Sequence, residues 1–381
     1  MTEKKRLLFR LLVFPFLIAL LLPYTIKNWM LNHSLSTIYY ILVSSGMSFG
    51  LVPLMYKVGM ILDITDKPGG RHLHKTATPR TGGIAIYITF VATLNLVTNP
   101  PIEFQGLFFA SSVIALLGIV DDIKRLPAEL KLLGQIIATV ILIRHGIFFS
   151  FIPNHFWGFS LTIILTIIWV VGITNAFNFL DGLDGLSSGI AIIVLIFYAL
   201  IAHSISDTFM MLVSIILLGS ILGFFPYNFR LKKRALIFLG DTGSTFIGFT
   251  IASLSIYGNW GHHKSVDLAI PVLLLAVPIT DMILTTIVRI LKKKVKSLSQ
   301  LLRYTGNDHF HHRLLRLGFN PKTTVTIIYL LTIIMGLLSL LLKHGDFIES
   351  IIALSIAVII FSLTIFSIVY PGIKDTKNIK K

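Results

Sequence analysis

The feature that most constrains this chain is a series of long apolar runs, each close to the length that crosses a bilayer. A helix needs roughly 20 largely apolar residues to span the hydrocarbon core. By that measure twelve runs are candidate spans, near 7–25, 36–57, 82–98, 104–120, 130–149, 158–176, 184–203, 207–227, 244–258, 267–290, 323–342 and 348–370. Backbone amides find no water in lipid, so runs of this length are expected to be helical. The expected fold is therefore all-α, a polytopic transmembrane helical bundle of about 11–12 spans forming a single integral membrane domain over 1–381. Within it we separate an extra N-terminal span in 1–35, a main bundle with its loops over 36–320, and C-terminal spans with a basic tail over 321–381. Only 13% of the 381 residues are charged, against about 25% in soluble domains. That difference weighs against a water-soluble chain.

The start, MTEKKRLLFRLLVFPFLIALLLPYTIKNW, has the basic flank and apolar run of a signal peptide. No small-x-small cleavage site follows, so it is expected to be retained as a first span. The formal net charge is +16, which in a soluble protein would raise nucleic acid as a partner. Here the basic residues fall in alternate loops, at Lys4–Arg6, Lys67–Arg80, Lys124–Arg125, Arg230–Arg234, Lys292–Lys296 and the C-terminus. The intervening loops hold Lys27, Arg144, Lys264 and Lys343. The positive-inside rule then places the basic set and both termini in the cytoplasm, with no nucleic acid required. The absence of cysteine excludes thiolate nucleophiles and Cys-ligated metals.

Five polar clusters fall on that expected cytoplasmic side, where ionisable groups at a membrane edge are functional candidates. The first runs from Asp66-Lys67-Pro68 through Arg71, His72 and His74 to Pro79-Arg80-Thr81-Gly82-Gly83; its Pro and Gly punctuation argues for a shaped loop, though topogenic charge alone would also look basic. The second is Asp121-Asp122 with Lys131 beyond it; adjacent carboxylates can bind a divalent cation or raise one partner's pKa, or simply solvate a helix end. The third, Asn175-Ala-Phe-Asn178-Phe-Leu-Asp181-Gly182-Leu-Asp184-Gly185-Leu186, places polar residues at i+3 steps after an apolar run. An unbroken helix would turn them through roughly half a circle, so the glycines are expected to break it and fold the two acids back. The fourth, Gly240-Asp241-Thr242-Gly243-Ser244, opens a span with free N–H groups suited to an anion and an acid available to a metal. The fifth is His309-Phe310-His311-His312-Arg313, read as donors to diphosphate in preference to zinc ligands.

Together these motifs, in this order over about 36–320, resemble the polyprenyl-phosphate N-acetylhexosamine-1-phosphate transferases of glycosyltransferase family 4. The run NAFNFLDGLDGL is the most specific element; GDTGS followed by Gly248, and HFHHR, add to it. Members of that family begin bacterial peptidoglycan, teichoic acid or O-antigen (lipopolysaccharide) synthesis. The resemblance implies transfer of a sugar-1-phosphate, N-acetylglucosamine-1-phosphate above others, from a UDP-N-acetylhexosamine to undecaprenyl phosphate, with release of UMP. It implies Mg²⁺, with Mn²⁺ as the substitute, held by Asn178 and Asp241. It implies Asp184 against the uracil, and Lys131, His309, His311, His312 and Arg313 on phosphates, with Arg80 and Asn175 as further substrate contacts. Asp121, Asp122 and Asp181 are then the candidate catalytic carboxylates. The implied setting is the bacterial inner (plasma) membrane, with membrane lipid around the chain and a homodimer as the oligomer to test. Gly306-Asn307-Asp308 departs from the family, where an arginine is expected before the histidines; the His-His-Arg ending resembles the N-acetylglucosamine branch.

The nearest alternative is a phospho-N-acetylmuramoyl-pentapeptide transferase of peptidoglycan synthesis. A polytopic transporter is the rival from another class. It would place polar groups near the bilayer midplane within an inverted repeat, and only Asp281, inside the run 267–290, meets that description. A pairing of Asp281 with a cationic neighbour is the other reading.

Overall fold

A computed structural model describes residues 29–30, 35–67, 77–97, 100–149, 156–258, 260, 264–295, 300, 304, 306 and 308–378. The expected first span at 7–25 and the loop residues Arg71, His72 and His74 lie outside the described residues. The chain divides into two compact units, one ending at Gly258 and one beginning after it.

In the first unit, helix α1 (Ser36–Ile61) leads into a two-residue antiparallel ribbon of β1 (Thr65–Asp66) and β2 (Thr78–Pro79), with Thr65 opposite Pro79. Helices α2 (Gly82–Leu94), α3 (Ile102–Lys124), α4 (Ala128–Arg144), α5 (Phe156–Leu180), α6 (Leu186–Ser204), α7 (Thr208–Asn228) and α8 (Gly240–Tyr257) follow. Helix α8 is the centre of the unit and packs against α2, α3, α5, α6 and α7. Its composition explains that position, since three glycines and six serine or threonine side chains let neighbouring backbones approach closely. A Cβ on Gly83 would overlap the Gly243 backbone, and one on Gly118 would fall 2.5 Å from Thr242 Cα. Nearly every residue from Gly240 to Ile256 is buried, and the hydroxyls of Ser244, Thr245, Thr250, Ser253 and Ser255 bond back to carbonyls of their own helix, as Thr245 Oγ1 does to Asp241 at 2.6 Å.

The second unit contains α9 (Lys264–Leu274), α10 (Ala276–Leu291), the short α11 (Phe310–Arg316), α12 (Pro321–Leu342) and α13 (Phe347–Asn378). The expected single span 267–290 is bent by 74° between α9 and α10. Pro278 is the physical cause, because it has no N–H to donate to the Leu274 carbonyl one turn back.

Seven described helices are long and apolar enough to cross a membrane: α1, α3, α5, α6, α7, α12 and the 347–365 part of α13. Counting the bent pair as one span gives eight. The expectation of 11–12 also counted α2, α4 and α8, which have 13, 17 and 18 residues and do not meet the length and hydropathy criterion singly. The protein is a multi-pass helical membrane protein.

Candidate functional site

Four helix ends meet at one end of the first unit. Helices α3 and α5 arrive there by their C-termini, bringing Asp121, Asp122 and Asn178, while α4 and α8 begin there with Lys131 and Asp241. Three of the motifs are thus assembled from segments far apart in sequence.

Asp241 is the hub of the cluster. Its Oδ1 accepts from Asn178 Nδ2 at 2.6 Å, and its Oδ2 lies 3.6 Å from Lys131 Nζ. The Asn178 amide also donates to Ser244 Oγ at 3.0 Å. Lys131 makes its closer ion pair with Asp121, whose Oδ1 accepts the Leu126 N–H at 2.7 Å. One ammonium therefore sits between two carboxylates from different helices.

Asp122 does something different from its neighbour. Its Oδ1 accepts the Asp241 N–H at 2.8 Å, and its Oδ2 accepts the Thr242 N–H at 2.9 Å and the Thr242 hydroxyl at 2.7 Å. These are the unsatisfied donors of a helix start, so Asp122 caps α8 from outside its own chain segment. Gly240 makes room for that carboxylate: its φ is +70°, and a Cβ there would fall 2.6 Å from Asp122 Oδ2. Asp121 and Asp122, adjacent in sequence, thus have separate sets of partners.

The helix break expected after Asn178 is present. Helix α5 ends at Leu180, α6 starts at Leu186, and Gly185 takes φ +78° in the turn. Asp184 Oδ2 accepts the Ala235 N–H at 2.8 Å, tying the turn to the loop before α8. Asn228, which the sequence reading did not single out, completes that tie. Its buried amide accepts from Gly185 N (3.0 Å) and Ser188 Oγ (2.9 Å) and donates to the Ile237 carbonyl (3.1 Å). A polar side chain ending the apolar run 207–227 was the available signal. Asp181 lies in the turn between spans, where burial, and then the charge of Asp241, push its carboxyl well above the ordinary range.

Asn175 is bonded within the bundle. Its Nδ2 donates to Gln135 Oε1 at 2.8 Å and Gln135 donates back at 3.3 Å, an amide pair joining α4 to α5. Gln135 is 2% exposed and was also missed in the sequence. Arg80 bonds Asp66 Oδ1 through Nη2 at 3.0 Å, while its backbone carbonyl packs against Gly240.

The balance of charge bears on a metal. Asp121, Asp122, Asp181, Asp184 and Asp241 face Lys131 and an Arg80 already bonded to Asp66. Among the described residues no group of three or more His, Asp or Glu converges to hold an ion unaided. Mg²⁺ needs no such group, since it is bound through one or two protein oxygens with water and phosphate completing the shell. Asp241 and Asn178 are neighbours that could share such an ion if the Asn178 amide turned to present its oxygen in place of the Nδ2 that here donates to Asp241.

The fifth cluster lies in the second unit. His309 immediately precedes α11, with Nδ1 2.8 Å from Asp281 Oδ2 and Nε2 3.3 Å from Arg289 Nη2. Both nitrogens of its ring are thereby occupied, and an outward phosphate contact by His309 is not what this arrangement provides. His311 is 1% exposed, neither ring nitrogen has a hydrogen-bond partner among the described residues, and burial holds its pKa down at about 3. His312 and Arg313 are half-buried, and Arg313 Nε donates to the Asp308 carbonyl at 2.9 Å. Asp281 is thus held by the His309 ring and the Phe310 N–H, within protein contacts of its own unit.

Residues 104–259 match the family model described as glycosyl transferase family 4. The chain is 33% identical over 319 residues to a probable undecaprenyl-phosphate N-acetylglucosaminyl 1-phosphate transferase of Bacillus subtilis, covering 82% of this chain and 87% of the relative. It is 33% identical over 304 residues to a decaprenyl-phosphate N-acetylglucosaminephosphotransferase of Mycobacterium leprae, covering 71% and 74%. It is 31% identical over 315 residues to a phospho-N-acetylmuramoyl-pentapeptide-transferase of Staphylococcus saprophyticus, covering 76% and 92%.

Proposed function

Because the chain belongs to glycosyl transferase family 4, whose relatives here are polyprenyl-phosphate sugar-1-phosphate transferases, we propose that it moves N-acetylglucosamine-1-phosphate from UDP-N-acetylglucosamine to undecaprenyl phosphate. UMP is released, and the lipid-linked sugar starts a cell-envelope polysaccharide. The observation that carries this reading is the Asp241, Asn178, Lys131 and Asp121 constellation at one end of the bundle. The site faces the cytoplasm of a bacterial plasma membrane, where the nucleotide sugar is.

In the reaction an oxygen of the lipid phosphate attacks the sugar-linked phosphorus. A new P–O bond forms there, the P–O bond to UMP breaks, and UMP leaves with the bridging oxygen. Both reactants are anionic, so the protein's contribution is positioning and charge neutralisation. Mg²⁺, bound to Asp241 and the Asn178 amide oxygen, would supply positive charge to the diphosphate oxygens. Lys131 adds an ammonium within reach of the same carboxylates. Asp121 holds Lys131 in place, and Asp122 holds the start of α8, so that Asp241 is presented at a fixed height. A phosphate monoester is largely ionised near neutral pH and needs no strong base. Asp184 lies in the turn beside the 229–239 loop and is assigned to the uracil by the resemblance. Asp181 is assigned there to the reacting end, and His312 and Arg313 to phosphate.

The test is UMP release by purified protein given UDP-N-acetylglucosamine, undecaprenyl phosphate and Mg²⁺. Turnover surviving both EDTA and Asp241→Ala would defeat the metal assignment. The 31% identity to a muramoyl-pentapeptide transferase favours one competing donor. Faster turnover with UDP-N-acetylmuramoyl-pentapeptide would replace the proposed sugar.

A further inference from the structure

Asp281 and Arg289 are buried charges that the reaction as proposed does not use. Both lie on α10 and are 3% exposed. A buried ion is costly unless each of its lone pairs or protons is matched. Here they are matched by one short stretch of chain. Arg289 makes a two-pronged pair with Asp308, Nε to Oδ2 at 3.0 Å and Nη2 to Oδ1 at 2.7 Å, and stacks over the Tyr304 ring at 4.7 Å. Burial works against the charged form of Asp308, but the guanidinium outweighs it and holds the carboxyl below its ordinary range. Asp281 takes the next two residues, accepting His309 Nδ1 at 2.8 Å through Oδ2 and the Phe310 N–H at 2.5 Å through Oδ1.

The ring between them is fixed as well. A guanidinium only donates, so His309 Nε2 must accept from Arg289 Nη2. The proton then sits on Nδ1, facing Asp281. His309 is therefore the keystone of a clamp whose jaws are two charges on one face of α10, about two turns apart.

We propose that Asp281 and Arg289 are positioning residues that hold 308–313 in one conformation, so that His312 and Arg313 are presented to phosphate while His309 is spent on the clamp. This rests on the transferase reading for what the segment does, and on geometry alone for how it is held. Asn at 281 offers one acceptor oxygen where two are needed. It can satisfy Phe310 only by turning its NH₂ toward His309, which forces the ring proton onto Nε2 against Arg289.

The experiment pairs amide hydrogen exchange with steady-state kinetics on the full chain in detergent, for wild type, Asp281→Asn, Asp281→Ala and Arg289→Lys. We expect faster exchange confined to peptides covering 308–316, unchanged elsewhere. We expect kcat/KM for the nucleotide sugar to fall about tenfold or more, the size of a lost charge-assisted hydrogen bond, with KM for the lipid phosphate unmoved. Unchanged exchange in the isosteric Asp281→Asn overturns the clamp whatever the activity does. Faster exchange with full activity overturns its bearing on the reaction. If wild type transfers nothing, the transferase reading fails, and the exchange data alone still decide whether α10 holds the segment.

Discussion

Replacing Asp122 with alanine separates a chemical carboxylate from a structural one. The change removes the acceptor for the Asp241 and Thr242 N–H groups and for the Thr242 hydroxyl. An N-cap loss costs about 1 kcal/mol, and each buried donor left without a partner about 1–3 kcal/mol. Asp122 lines an open cleft of about 370 Å³ with Asp63, Asp66 and Arg80, so water can reach the freed donors and the lower end applies. The expected loss is about 2–3 kcal/mol, or roughly 3–4 °C in Tm for a chain of this length. Asp122→Asn keeps one acceptor oxygen and is expected to lose about half of that. Thermal unfolding in detergent gives the shift, and UMP release on the same samples gives turnover. The alanine variant should lose turnover along with stability as Asp241 drifts from Asn178, whereas the asparagine variant should keep a substantial part of both. The cap argument is wrong if Asp122→Asn melts like wild type but turns over about a thousandfold more slowly, since the carboxylate would then be acting on substrate.

Three other outcomes follow from the geometry. His311 has a folded pKa of about 3 against an ordinary value of 6.5, so the unfolded chain binds the extra proton as pH falls below about 6.5. Stability is complete above that pH and declines toward pH 3 by up to about 1.4 kcal/mol per pH unit; His311→Gln should flatten that slope in melting curves taken from pH 7 to 5, and an unchanged slope would count against a buried neutral ring. Gly83→Ala places a methyl group on the Gly243 backbone and should cost about 2 kcal/mol or more, read as a lowered Tm. Because the chain has no cysteine, single cysteines at the exposed positions 124, 232 and 316 can report sidedness; all should react with an impermeant maleimide only after the cytoplasmic face is opened.

The apolar runs made the helices legible, because hydrophobicity over that length has one structural solution in lipid. The turn at 181–185 was legible for a related reason: polar residues at i+3 steps that must share a site require a break, and Gly185 supplies it. What could not be read was which polar group would find which partner. Asp121 and Asp122 look alike in sequence, yet a rotation of about 100° per residue on α3 sends one to Lys131 and the other to the start of α8. Asn175 and Gln135 are 40 residues apart and form a pair that no spacing announces. The bend at Leu275 was hidden because hydropathy is indifferent to Pro278, whereas the hydrogen-bond ladder is not.

The polar, buried character of α8 has a consequence for how the protein is made. Gly240–Tyr257 does not meet the criterion of a membrane-crossing helix by its own length and hydropathy, although its residues are almost wholly enclosed by other helices. A translocation channel that sorts helices by their own affinity for lipid has little reason to release this one. Its entry into the bilayer therefore depends on α2, α3, α5 and α7, already made by the time it emerges, and the candidate metal residue Asp241 arrives with it. Assembly of the site and insertion of its central helix are one event.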